Sequence, residues 1–138
     1  MVSYKTLKQN AEDRWTELTS VKKPWIRIGT AMCGQAAGSY AVLDSIKAKL
    51  KEKNIDAVVS ETGCLGICYA EPLLDVAKAG KARLFFGNVT PEDIDVIVDG
   101  YIVNDHVPDA KALGYLASDA QKPIKGVADL NALPGIAR

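Results

Sequence analysis

The stretch WIRIGTAMCGQAAGSYAVLDSIKAKLKEKNIDAVVSET, residues 25–62, decides the fold. It opens on Trp25, Ile26, Arg27, Ile28 and Gly29, a short run rich in β-formers that reads as a strand. A loop from Thr30 to Gln35 follows. From Ala36 or Ser39 to Lys53, Val42, Leu43, Ile46 and Leu50 fall on one face of a helix, with Lys47, Lys49, Lys51 and Lys53 as its solvated face. Asn54 stops this helix, and Asp56 to Thr62, centred on Val58 and Val59, reads as a second strand. Strand, helix and strand make a right-handed crossover unit, so the two strands should run parallel.

Downstream, Leu73 to Ala77 and Ala82 to Phe86 read as two further strands, joined by Lys78, Ala79, Gly80 and Lys81 as a hairpin turn and therefore antiparallel. Thr90, Pro91, Glu92 and Asp93 form a helix start, with Thr90 as N-cap, proline at the first helical position and acids in the first turn. Ile94, Ile97, Val98 and Tyr101 supply the buried face of that helix. Upstream, Tyr4, Leu7, Ala11, Trp15 and Leu18 lay one apolar stripe along an N-terminal helix, which Lys22, Lys23 and Pro24 interrupt. After Val103 the periodicity fades, and Pro108, Pro123 and Pro134 mark a linker or wrapping tail. The element order matches a thioredoxin-like α/β layout: a four-stranded mixed sheet flanked by helices, with an N-terminal helix and an irregular C-terminal tail. The expected division is residues 1–105 as the domain and 106–138 as the tail.

The 138 residues suit one domain, and 48% hydrophobic residues supply a single core. With 17 basic against 17 acidic residues, nothing in the charge balance calls for a nucleic-acid partner. No apolar run approaches the roughly 18 to 20 residues that cross a bilayer, and the N-terminus lacks a signal-peptide core, so the expectation is a cytoplasmic protein without direct membrane insertion.

Cys33, Cys64 and Cys68 are the chain's three cysteines. Each follows a strand of the crossover unit, so the two loops should emerge at one end of the sheet, where ligand sites of open α/β sheets lie. Clustered cysteines in a reducing compartment point to metal ligation or redox chemistry; the plainer alternative is buried thiols acting as small apolar groups. Gly63 and Gly66 let the backbone fold around Cys64 and Cys68 and aim amides at sulfur, as Gly34 and Gly38 do beside Cys33. His106, the chain's one histidine, reads as a surface residue, although with the three cysteines it has the donor number of a zinc site. A thiol exchanger would normally carry CxxC at a helix start rather than CxxxC in a loop. Glu71 and Pro72 read as a sharp turn into the third strand, with a cis peptide as one alternative.

The segments TAMCGQAAGSYAVLDSI, VVSETGCLGICYAEPLLDV and LFFGNVTPEDIDVIV resemble the thioredoxin-like [2Fe–2S] ferredoxin module that opens the NADH-oxidising flavoprotein subunit of complex-I-like enzymes and NAD-linked hydrogenases. The resemblance spans about residues 4 to 105 and implies a [2Fe–2S] cluster held by a CxxxxC pair and a CxxxC pair. Cys33 then takes the second ligand position, Cys64 the third and Cys68 the fourth, while the first falls on Ile28, which cannot bind iron. Ser20, Thr30, a water or a partner subunit would have to substitute, and the side chain at position 28 should face the three sulfurs. The resemblance further implies that FMN and NAD sites belong to a part of the subunit absent from this chain, that the chain alone is not catalytic, and that its partners are other subunits or domains of an NADH-linked oxidoreductase. Two readings follow: an electron carrier, or a docking module of the same kind of complex that has lost its cluster.

Overall fold

A computed structural model describes residues 2–19, 22–117 and 122–132. Ser20 and the tail end, residues 133–138, lie outside the described residues. Helix α1 (Tyr4–Thr19) leads through Pro24 into strand β1 (Trp25–Gly29), a short helix α2 (Met32–Ala36), helix α3 (Ser39–Glu52) and strand β2 (Val58–Thr62). Strands β3 (Leu74–Ala77), β4 (Arg83–Phe86) and β5 (Ala112–Leu116) complete one sheet in the order β2-β1-β3-β4-β5. β1 and β2 are parallel, with Gly29 opposite Thr62, and the β3–β4 hairpin is antiparallel, as expected.

Among the described residues the sheet has five strands rather than four. The fifth comes from the stretch after Val103 that the fading periodicity marks as irregular; it pairs antiparallel with β4 across a register shift between Phe85 and Phe86. Leu130, in a 3-10 turn (Leu130–Ala132), packs where a side chain on Gly114 would be: an added Cβ there would lie 2.4 Å from Leu130 Cδ2. The Thr30 to Gln35 loop also differs from expectation, because Met32–Ala36 closes into α2. Thr90 caps as the sequence indicates, its N–H and hydroxyl both donating to Asp93 Oδ2. The helix behind it is, however, a 3-10 turn (Pro91–Asp93) followed by a π-helix (Val96–Val103).

Strand alternation separates two sheet faces. Ile26, Ile28, Leu74, Val76, Leu84 and Phe86 share the core face. Val42, Leu43, Ile46 and Leu50 of α3 cover it, together with Ile94, Ile97, Val98 and Tyr101. Burial pushes the Tyr101 phenol up to about 12. On the other face Arg27 and Arg83 both pair with the buried Asp75 carboxylate and both lie over the Trp25 ring, at 5.5 and 4.5 Å from its centroid. The apolar stripe of α1, by contrast, does not enter this core: Tyr4, Leu7 and Trp15 are exposed. No helix among the described residues is long and apolar enough to cross a membrane.

Candidate metal centre

Parallel pairing brings the two cysteine loops to one end of the sheet. Thr30, the first residue past β1, donates its N–H to Thr62 O at 3.1 Å, so both loops start from a shared hydrogen bond. Cys33 follows as the second residue of α2, and Cys64 lies two residues beyond β2. The backbone turns back at Gly66, whose φ of 82° is costly for any residue with a Cβ. That turn aims the Gly66 N–H at Cys64 Sγ, 3.2 Å away, and leads into the 3-10 turn Cys68–Ala70. Cys64 Sγ and Cys68 Sγ end 3.6 Å apart. All three thiols are exposed, as are Met32, Leu65 and Tyr69 beside them in the chain.

Two ligands at about 2.3 Å from one tetrahedral metal stand about 3.8 Å apart, so the Cys64/Cys68 pair fits a single metal ion. The amide on Cys64 Sγ is the kind of donor that stabilises metal-bound sulfur. Cys33 joins them at the same sheet end but not in a preformed set: among the described residues, no three His, Cys, Asp or Glu side chains are grouped closely enough to hold a metal ion. The zinc set with His106 fails on topology. Asp105, its neighbour, pairs with Lys78 and Lys81 of the β3–β4 turn. That turn follows Ala77, which lies opposite Trp25 at the far end of β1 from the cysteine loops. His106 is exposed there, as a surface residue.

Ile28 does not face the sulfurs. It is 0% exposed, packed in the core with Ile26 and Leu74, because it shares the inward side of β1 with Ile26. The residue at the strand end that points the other way is Gly29. The space its side chain would fill holds the carboxylate of Glu71: a Cβ built on Gly29 would lie 3.1 Å from Glu71 Oε2 and 3.2 Å from Oε1. A Cβ on Gly34, next to Cys33, would come within 3.2 Å of Oε2 and would strike Gly29 O at 2.2 Å. Glu71 is 7% exposed and sits between the two loops, its N–H directed at Cys68 O. Oε2 accepts the Leu73 N–H at 2.8 Å, whereas Oε1 is buried without a hydrogen-bond partner. The Glu71–Pro72 peptide is cis. From the sequence Glu71 reads only as a turn residue; the signal it carries is a charged side chain three residues before the buried strand β3.

No family model matches the chain. It is 31% identical over 71 residues to a 2Fe-2S ferredoxin of Clostridium pasteurianum, an alignment covering 50% of this chain and 67% of that protein. It is 26% identical over 82 residues to the NADP-reducing hydrogenase subunit HndB of Solidesulfovibrio fructosivorans, covering 59% and 65%. The chain thus spans about two thirds of the length of these curated relatives. Among solved structures, a thioredoxin-like [2Fe–2S] ferredoxin from Aquifex aeolicus matches with a TM-score of 0.60 at 19% identity, over 69% of this chain and 94% of that one. A second structure of the wild-type Aquifex protein gives 0.58 over 68% and 99%. At that identity the likeness shows a shared fold.

Proposed function

Since the chain belongs to the thioredoxin-like [2Fe–2S] ferredoxin family, we propose that it is an electron-transfer module that holds a [2Fe–2S] cluster at Cys33, Cys64 and Cys68. The observation that carries this reading is the Cys64/Cys68 pair, 3.6 Å apart with an amide donated to Cys64, at the sheet end it shares with Cys33. When bound, such a cluster takes up and passes on single electrons. The chain's own residues do the rest. Three thiolates fix the metal, Gly66 N–H offsets charge on sulfur, and the fold leaves the site open to a partner. The exposed Met32, Leu65 and Tyr69 give that partner an apolar contact surface beside the thiols.

The relationship to HndB supports a place among the subunits of a hydrogenase or NADH-linked oxidoreductase. In the finer form of the reading, the chain is the module that opens an NADH-oxidising flavoprotein subunit. FMN and NAD then bind in that remainder, and the chain alone reduces no artificial dye with NADH above the free-flavin background. The second reading, a cluster-less docking module in the same kind of complex, is favoured by one observation: the position matched to the first ligand is a core isoleucine. Anaerobic purification followed by iron and acid-labile sulfide determination separates the two. A coloured protein with equal iron and sulfide and a magnetic signal on reduction supports the carrier. A colourless protein with three titratable thiols would sink it and leave the docking module.

A further inference from the structure

We infer that Glu71 supplies the missing fourth protein ligand, a carboxylate oxygen, to the cluster site formed with Cys33, Cys64 and Cys68. The inference rests on the cluster reading above. Two features of the structure and one chemical argument lead to it.

The first is the orphan oxygen. A buried carboxylate oxygen with no donor facing it is strongly disfavoured, so such groups normally have a cation, a proton or a hydrogen bond as partner. Glu71 Oε1 has no hydrogen bond, and Glu71 makes no ion pair among the described residues. Its burial is local to the cysteine loops, where a positively charged metal would be bound.

The second is the cradle. Gly29 and Gly34 flank the Cys33 turn, and the Glu71 carboxylate packs against both: a Cβ on Gly29 would press on it at 3.1 Å and one on Gly34 at 3.2 Å, although at Gly34 the closer obstacle is Gly29 O. Position 29, and not 28, is the end of β1 that turns away from the core, so it is where a ligand carried by the strand would have to project. Glu71 fills that volume from the neighbouring loop.

The third is chemical equivalence. A carboxylate carries the same single negative charge as a thiolate, so the exchange leaves the total charge of the site unchanged. Iron accepts non-thiolate ligands in clusters, as the imidazole-ligated centres show. Thr30, one of the substitutes the sequence offers for the fourth ligand, has a hydroxyl that would have to lose a proton to match that charge. The four donors are not gathered in a preformed sphere, but the Cys64–Cys68 loop is exposed and can close as metal binds.

The test uses the full chain, reconstituted anaerobically with ferrous iron and sulfide, as wild type, Glu71→Gln and Glu71→Cys. Iron and sulfide content, the visible spectrum and the electron paramagnetic resonance of the reduced protein are read, with circular dichroism to check folding. The expected result is a loaded wild type and a Glu71→Gln protein whose cluster occupancy falls roughly tenfold or more. Glu71→Cys should keep the cluster while its bands and g values move to those of a four-thiolate centre. A folded Glu71→Gln that loads like the wild type with unchanged g values removes Glu71 from the site and leaves the cluster reading standing. A wild type that takes up no cluster overturns both. Should Glu71→Gln fail to fold, Glu71→Cys decides: g values unmoved from the wild type's overturn the assignment, and a shift upholds it.

Discussion

Replacing Ile28→Cys distinguishes the position the motif matches from the position the fold makes available. Ile28 is fully buried among Ile26, Leu74 and the apolar faces of α3 and the π-helix. Cysteine at that site removes apolar volume without giving the metal a ligand. Loss of one buried methylene costs about 0.5 to 1.5 kcal/mol and truncation of isoleucine to alanine about 2 to 5, so the change should cost about 2 kcal/mol. A domain with roughly 5 to 15 kcal/mol of stability survives that loss, and the variant can be assayed folded. Urea unfolding should show the same loss with and without iron and sulfide. A thiolate that joined a metal site would instead raise stability as free metal exceeded its dissociation constant, by RT ln(1 + [L]/Kd). Iron content should match the wild type's. A variant of unchanged stability that holds more cluster than the wild type would refute the assignment of Ile28 to the core.

Gly34→Ala should lose about 1 to 3 kcal/mol, because the new methyl meets Gly29 O at 2.2 Å and this overpacking outweighs the helix-propensity gain of about 1 kcal/mol; a stabilised variant in thermal melts would contradict the close contact. Asp75→Ala removes the acid that Arg27 and Arg83 share over Trp25 and should cost about 3 kcal/mol in denaturant unfolding, and a cost under about 1 would mean that water replaces the carboxylate. Tyr101 has a folded pKa of about 12, above its ordinary value of 10.0, so its contribution is complete below the ordinary value and is lost as pH rises through about 12. Tyr101→Phe should leave stability at neutral pH unchanged or raised by about 1 kcal/mol, since the hydroxyl lacks a partner, and should remove about 2 to 3 kcal/mol of the alkaline loss; an unchanged alkaline slope in pH-dependent unfolding would rule this out.

What the sequence disclosed follows from which interactions are local. β1 was legible to the residue because Trp25 to Gly29 carries β-formers between a proline and a glycine, and the capped turn at Thr90 because its donors and acceptor lie within four residues. β5 was not. Gly114 in the middle of ALGYL weakens any strand reading, and the strand exists through pairing with β4 and through Leu130, residues distant in sequence. The π-helix was missed as a class because Ile94, Ile97, Val98 and Tyr101 face inward in either helix, and a wider hydrogen-bond ring leaves no mark on that spacing. The cysteine loops were legible as a motif. Position 28 was expected to face the sulfurs because motif spacing was followed where strand alternation, with Ile26 and Ile28 on one side, already assigned it to the core.

The two ends of the sheet are built for different purposes, and this bears on both functional readings. At the hairpin end, Lys78 Nζ donates to the carbonyls of Tyr101 and Ile102, lies 5.0 Å from the centroid of the Tyr101 ring and pairs with Asp105, closing the π-helix onto β3. Lys78 and Lys81 together hold the Asp105 carboxyl below its ordinary range, through hydrogen bonds first and charge second. At the loop end, the peptide from Gly63 to Tyr69 is mostly exposed, and the side-chain hydrogen bonds within it are weak ones to sulfur, from the Gly66 N–H to Cys64 and between the Cys64 and Cys68 thiols. The core therefore does not depend on that loop's conformation, so a chain without a cluster should keep its fold, while Leu65 and Tyr69, which the loop carries, lose the positions that a bound metal would fix. On the carrier reading, loss of the metal would then end electron transfer without unfolding the domain. Hydrogen exchange should then give amides of residues 63–69 protection that rises on metal loading, while those of β1 and β3 stay slow in both states. Slowing of β1 and β3 exchange on loading would mean that the core is completed by the metal and would refute its independence from the loop.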